Sequence, residues 1–131
     1  ASYIAGRINC MEEKSIKELA VELTVEVTEL CDLIKAKSVF TNQLLRACSS
    51  IGANAHEAKY AHSRADFISK LEISLKECYE TDYWLKILKD TNNLSEESFK
   101  LLFTQCSKIR KILTASILTA KSNNHRTYVC L

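Results

Sequence analysis

Apolar side chains along this chain return at steps of three and four residues in four successive blocks, the spacing that places them on one flank of an α-helix. In the first block Ile16, Leu19, Ala20, Leu23, Val27, Leu30, Cys31 and Ile34 make one stripe. It predicts a helix over about 12–35, with Glu12 and Glu13 at the end where the helix dipole favours anions and Lys35 and Lys37 where it favours cations. Val25 and Val27 are β-branched and cost a little helix propensity, which the sustained period outweighs.

The second block has Ser38 as its expected cap and runs over about 39–61, with Leu44, Cys48, Ile51, Ala55 and Ala58 facing inward. Many of its side chains are small, among them Ala47, Ser49, Ser50, Gly52 and Ala53, so the helix can approach a neighbour closely. A mid-helix glycine costs about 1 kcal/mol relative to alanine, a cost that is tolerated where a Cβ would collide with a packed helix. Ile51, Gly52, Ala55 and Ala58 are therefore the expected packing positions.

Ser63 and Asp66 open the third helix, over about 64–89, whose main stripe is Phe67, Leu71, Leu75, Cys78, Leu85 and Leu88. Ile73, Trp84 and Ile87 lie more than a quarter turn away, and a helix apolar on two flanks is usually covered on both. Those three residues are the expected subunit interface. After a loop over 90–94, Ser95 and Ser98 with two glutamates between them start a fourth helix over about 96–121, with Leu102, Cys106, Ile109, Leu113, Ser116 and Ile117 inward. Short connections make neighbours antiparallel, so the predicted fold is an all-α, up-down-up-down four-helix bundle over 12–121, with an extension over 1–11 and a tail over 122–131.

Composition supports helices over strands: the 131 residues contain no proline and only two glycines, too few for the many turns of an all-β fold. The six cysteines are widely spaced and match neither a disulfide framework nor a zinc pattern. Cys31, Cys48, Cys78 and Cys106 fall at inward positions and read as small buried hydrophobes in a reducing cytoplasm, whereas Cys10 and Cys130 fall outside the helices. No apolar run reaches the roughly 18 residues of a membrane span, so a cytoplasmic location without membrane association is expected.

Charge is distributed unevenly. Residues 1–97 carry 12 Lys/Arg against 16 Asp/Glu, whereas residues 98–131 carry six basic side chains and no acidic one. On a helical wheel Lys100, Lys108, Arg110, Lys111 and Lys121 span about 160° opposite the inward flank. A solvated helix normally mixes signs, so this stripe is the candidate nucleic-acid contact.

The sequence offers no complete reactive constellation. His56-Glu57 lacks the second histidine of a zincin, since Tyr60 stands at the required position. The residues three before His56, His62 and His125 are Ala53, Lys59 and Ser122, which excludes the Glu-x-x-His pairs of di-iron bundles. Ser49, Ser50 and Ser63 near His56 and His62 read as cap and packing residues. Glu57, Asp66, Glu72, Glu77 and Glu80 with Arg46, Lys70 and Lys76 read as ion pairs, such as Glu72 with Lys76. The expectation is a protein with no catalytic residue, no metal site and no cofactor.

The run Ser50-Ile-Gly-Ala-Asn54, followed by Glu57-Ala58, Ser63, Asp66-Phe67 and Lys70-Leu71, lies within longer matching segments over 43–58, 61–77 and 80–85. In order and spacing it resembles the bacterial four-helix-bundle family of proteins encoded in intervening sequences of ribosomal RNA genes. The likeness extends over about residues 12–121. It implies a ring-shaped homopentamer. A related branch is similar to the accessory variability protein of diversity-generating retroelements, which implies RNA or DNA and a reverse transcriptase as partners. The expected function is thus a non-catalytic oligomeric scaffold that binds nucleic acid. The alternative is a protein-interaction module for a nucleic-acid enzyme such as a reverse transcriptase.

Overall fold

A computed structural model describes residues 13–122, which form four α-helices: α1 (Ile16–Leu33), α2 (Ser38–Ala58), α3 (Arg64–Asp90) and α4 (Glu96–Ser122). The extension over 1–11, residues 123–131 of the tail, Cys10, His125 and Cys130 lie outside the described residues. Among the described residues there is no strand. Consecutive helices pack on one another and α4 closes on α1; α2 with α3 is the most extensive seam and α1 with α4 the least.

The helix ends follow local chemistry. α1 begins at Ile16, later than the acidic pair at 12–13 predicts, because Ser15 and Glu18 form a capping box. The Ser15 hydroxyl accepts from the Glu18 N–H (3.2 Å) while Glu18 Oε2 accepts from the Ser15 N–H (2.8 Å), satisfying two donors that would otherwise be orphaned. Ser38 does not cap α2 as expected: it is the first helical residue, and the cap position belongs to Lys37, which makes no side-chain cap bond. α2 ends at Ala58, not near Ala61. The N–H groups of Lys59, Tyr60 and Ala61 donate to His56, Glu57 and Ala58 carbonyls, tightening the chain into a three-residue repeat. That turn delivers Ser63 to the start of α3, where its hydroxyl accepts from the Asp66 N–H at 3.0 Å as predicted. Between α3 and α4, Asn92 takes the left-handed conformation (φ 59°) and Asn93 N–H reaches back to the Leu88 carbonyl, which closes the helix end.

The inward stripes meet in one core. Ile16, Leu23, Leu44, Ile51, Leu71, Leu85, Leu88, Ile109 and Leu113 are its largest fully buried apolar side chains, with Cys48, Cys78 and Cys106 among them. Cys31 is half-buried at its edge. Two core positions are polar, Ser74 and Thr81, and each hydroxyl is satisfied by a carbonyl: Ser74 bonds Ile51 O across the α2–α3 seam and Thr81 bonds Glu77 O (both 2.8 Å). Both satisfy the rule that buried hydroxyls need partners. Ile51, Ala55 and Ala58 are buried as expected. A Cβ on Gly52 would stand 3.1 Å from Ala20 Cβ, so the glycine permits the close approach of α1 to α2.

Candidate nucleic-acid and assembly surfaces

The five basic residues of α4 do not act as one stripe. Arg110 follows the core residue Ile109 and points sideways to α3, where it pairs with Asp82; their side chains are only 18% and 14% exposed. Its guanidinium also lies against the rings of Tyr79 (5.2 Å to the centroid) and Phe103 (5.6 Å) and bonds Ser107 Oγ (3.3 Å). Burial pushes the Asp82 carboxyl above its ordinary value, while Arg110 and the Cys106 thiol pull it back. Lys121 is tied to α3 as well, with Nζ 2.6 Å from Glu72 Oε1. Lys100, Lys108 and Lys111 are exposed and make no ion pair among the described residues. Lys108 and Lys111 border an open groove of about 640 Å³ between α1 and α4, floored by Leu19 and Ile112 and rimmed also by Glu13, Lys14 and Glu22. Beside it Gln105 Nε2 donates to both Glu26 oxygens (3.0 and 2.9 Å).

The three expected interface residues lie along the α2–α3 flank but are not equivalent. Trp84 is half-buried against Phe40 (ring centroids 6.1 Å), meets Tyr83 edge-on (5.0 Å) and donates its indole N–H to Glu80 (3.2 Å). Ile87, one turn further on, is also half-buried. Ile73 is exposed and about 16 Å away along the helix axis. Between it and Trp84 lies the ion-pair set in which Arg46 reaches both Glu77 (3.4 Å) and Glu80. The Arg46 guanidinium, followed by the Trp84 N–H, holds the Glu80 carboxyl below the usual range.

Other features were not anticipated. Val21 and Val25 stand more than half exposed beside a shallow groove of about 250 Å³ lined by Ala20, Thr24, Ser49, Gly52 and Ala53. Their spacing of four residues on the solvent flank of α1 was the available signal. Tyr79 and Tyr83 are likewise exposed, four residues apart on α3. Asp82 as partner to Arg110 could have been found too, since each flanks a core residue, Thr81 and Ile109, on antiparallel helices.

The histidines and carboxylates do not converge. Glu57 pairs with Lys70 (2.6 Å), Asp66 accepts from the His62 backbone N–H (3.2 Å), and His56 is exposed with its ring 5.5 Å from Tyr60. Glu72 serves Lys121, not Lys76. Among the described residues no group of three or more His, Cys, Asp or Glu side chains is placed to hold a metal, and no helix is long and apolar enough to cross a membrane. The Cys48 thiol is pushed up to about 11 by burial. The Cys106 thiol, which donates to the Cys78 carbonyl oxygen at 3.5 Å, is also raised, by the neighbouring Cys78 and by burial.

A protein with unknown function from the S23 ribosomal protein family of Bacteroides thetaiotaomicron has a crystal structure that superposes with a TM-score of 0.74 at 39% sequence identity, covering 78% of this chain and 97% of that one. Among curated proteins none matches. The family model described as 23S rRNA-intervening sequence protein matches residues 12–115, which spans most of the four helices. The chain belongs to the 23S rRNA-intervening sequence protein family.

Proposed function

We propose that this chain is a non-catalytic scaffold that assembles from copies of itself and holds nucleic acid on the outer flank of α4. The observation that carries this reading is that Lys100, Lys108 and Lys111 stand exposed without a carboxylate partner, while α4 itself holds no acidic residue after Glu97. Repetition by assembly turns three such lysines per copy into a field that a single bundle lacks. A closed ring requires two different surfaces that fit one another. The shallow α1–α2 groove beside Val21 and Val25, and the α2–α3 flank around Trp84 and Ile87, offer one such pair, and the resemblance to a pentameric family favours a ring of five.

Binding of RNA or DNA should fall steeply with salt, because it depends on releasing counterions from phosphates. Each lysine removed should lower the salt slope by about one. Unmeasurable affinity at low salt, or affinity unchanged in Lys100→Glu/Lys108→Glu/Lys111→Glu, rules out the α4 reading. Light scattering of Ile87→Asp tests the assembly, since a charge placed in covered apolar surface should shift the particle towards monomer.

One observation favours the second reading, a module for a protein partner such as a reverse transcriptase. Leu33 is 82% exposed at the last position of α1, and Leu101 is 57% exposed near the start of α4. A protein retained on the purified chain after nuclease treatment, and lost in Leu33→Asp/Leu101→Asp, would favour it over nucleic-acid binding.

A further inference from the structure

The outer surface of α3 carries an interleaved track of cations and rings. Lys76, Tyr79, Tyr83 and Lys86 follow one another at steps of three, four and three residues, so they share one flank of the helix. Tyr79 is 58% and Tyr83 57% exposed. Lys76 makes no ion pair among the described residues, because Glu72, its partner by spacing, is held by Lys121. Lys86 meets only Asp90, in an exposed pair at 2.8 Å that water screens.

Both rings are already oriented. Arg110 covers one face of Tyr79, and the edge-on contact with Trp84 steadies Tyr83. A flat partner stacking on them therefore loses little to ordering the side chains, and the guanidinium behind Tyr79 draws electron density from the ring. α4 lies alongside, with Lys111 next in sequence to Arg110.

We infer that this α3 track binds single-stranded nucleic acid, with bases stacked on Tyr79 and Tyr83 and phosphates near Lys76 and Lys86; the inference rests on the nucleic-acid reading above and names its ligand class. Residues four apart on a helix stand about 6 Å apart along the axis. Successive bases in a duplex strand are about 3.4 Å apart and already stacked on each other. Two rings at the wider spacing can each take a base only from a strand whose bases are free to splay, and stacking of this kind tolerates any base sequence.

The test measures binding of labelled oligothymidylate and of a duplex of equal length to the full chain at low salt, with the emission of Trp84, the single tryptophan, as a second signal. The single strand should bind more tightly than the duplex and quench Trp84 through Tyr83. Tyr79→Ala and Tyr83→Ala should each weaken the single strand about 10-fold, within the range for one base on an aromatic ring, and leave the duplex unchanged. Tyr79→Phe/Tyr83→Phe should bind like the parent, which separates stacking from loss of fold. If the alanine variants bind both ligands like the parent while the α4 lysine variants lose both, the α3 track is overturned and the lysine reading stands. If the tyrosine variants change particle mass and not affinity, the rings belong to contacts between copies and the inference fails. Absence of binding by either ligand removes both readings.

Discussion

Replacing Arg110 with alanine tests whether that residue is a phosphate contact or an internal tie between α3 and α4. Removing one partner of a buried ion pair typically costs about 3–5 kcal/mol, because the other charge is left buried alone. Asp82 is 14% exposed and Arg110 18%, so water relieves part of that, and a loss of about 2–4 kcal/mol is expected. Against a total stability of about 5–15 kcal/mol for a domain, this is a large fraction. With a urea slope of about 1–3 kcal/mol per molar, the unfolding midpoint should fall by roughly 1–2 M.

The double variant Asp82→Leu/Arg110→Met removes both charges and should recover to within about 1 kcal/mol of the parent, since apolar replacement of a buried pair is often neutral. The deficit of Arg110→Ala should also depend on pH. Burial raises the Asp82 carboxyl, and without Arg110 that push is less opposed. A carboxyl raised in the folded state binds its proton more tightly folded than unfolded, so the deficit is full above the raised folded value and shrinks as pH falls through it towards the unfolded value. A loss below about 1 kcal/mol in Arg110→Ala, or a double variant as unstable as the single, would refute the buried-tie account. If the double variant also lost nucleic-acid affinity while keeping its stability, Arg110 would return to the binding surface.

Three further outcomes follow from the packing. Gly52→Ala gains about 1 kcal/mol of helix propensity but sets a Cβ 3.1 Å from Ala20 Cβ, an atom fixed to its backbone, so overpacking of about 1–3 kcal/mol should make the variant less stable by thermal melting. Ala20→Gly in the same chain should restore part of that loss, and additive effects would mean the two positions do not touch. Ser15→Ala should cost about 1 kcal/mol by removing the capping box of α1, and a neutral result in urea titration would place the start of α1 elsewhere. The emission of Trp84, bonded to Glu80, should change on acidification with a midpoint below the ordinary glutamate value; a depressed carboxyl supports the fold above that range and loses its effect as pH falls through it, and Glu80→Gln should abolish the step.

The inward stripes were the most legible part of the chain, because burial repeats every three or four residues and no single contact decides it. Leu44, Cys48, Ile51, Ala55 and Ala58 of α2 are all buried as the period requires. Helix ends depend on one or two side chains and were less legible. The Ser15 and Glu18 box was present in the sequence but masked by the acidic pair before it, and Ser38 has the right chemistry for a cap one residue too late. Ser74 and Thr81 were absent from the predicted stripe because hydroxyls score as polar, although a carbonyl across the seam or one turn back makes them suitable for a core. Helical spacing shows the second apolar stripe of α3 but not that Trp84 leans on Phe40 of another helix or that Arg46, Glu77 and Glu80 interrupt the flank.

Charge was the least legible property, and the reason is topological. Counted along the chain, the stretch after Glu97 is wholly basic. Folding places α4 between α3, which offers Glu72 and Asp82, and α1, which brings Glu22 and Glu26 to the same side as Lys108 and Lys111. Segregation by sequence thus becomes a largely buried pairing for Arg110 and an exposed, water-screened one for Lys121, and the outward charge without a carboxylate partner shrinks from five residues to three. Any phosphate contact by a single bundle is correspondingly weak, since each neutralised phosphate contributes its own increment to affinity and salt slope. On the scaffold reading proposed above, binding should track assembly: a variant held as monomer by Ile87→Asp, with all α4 lysines intact, should lose most of its affinity for nucleic acid. Retention of full affinity by such a monomer would show that repetition is not what makes the surface effective.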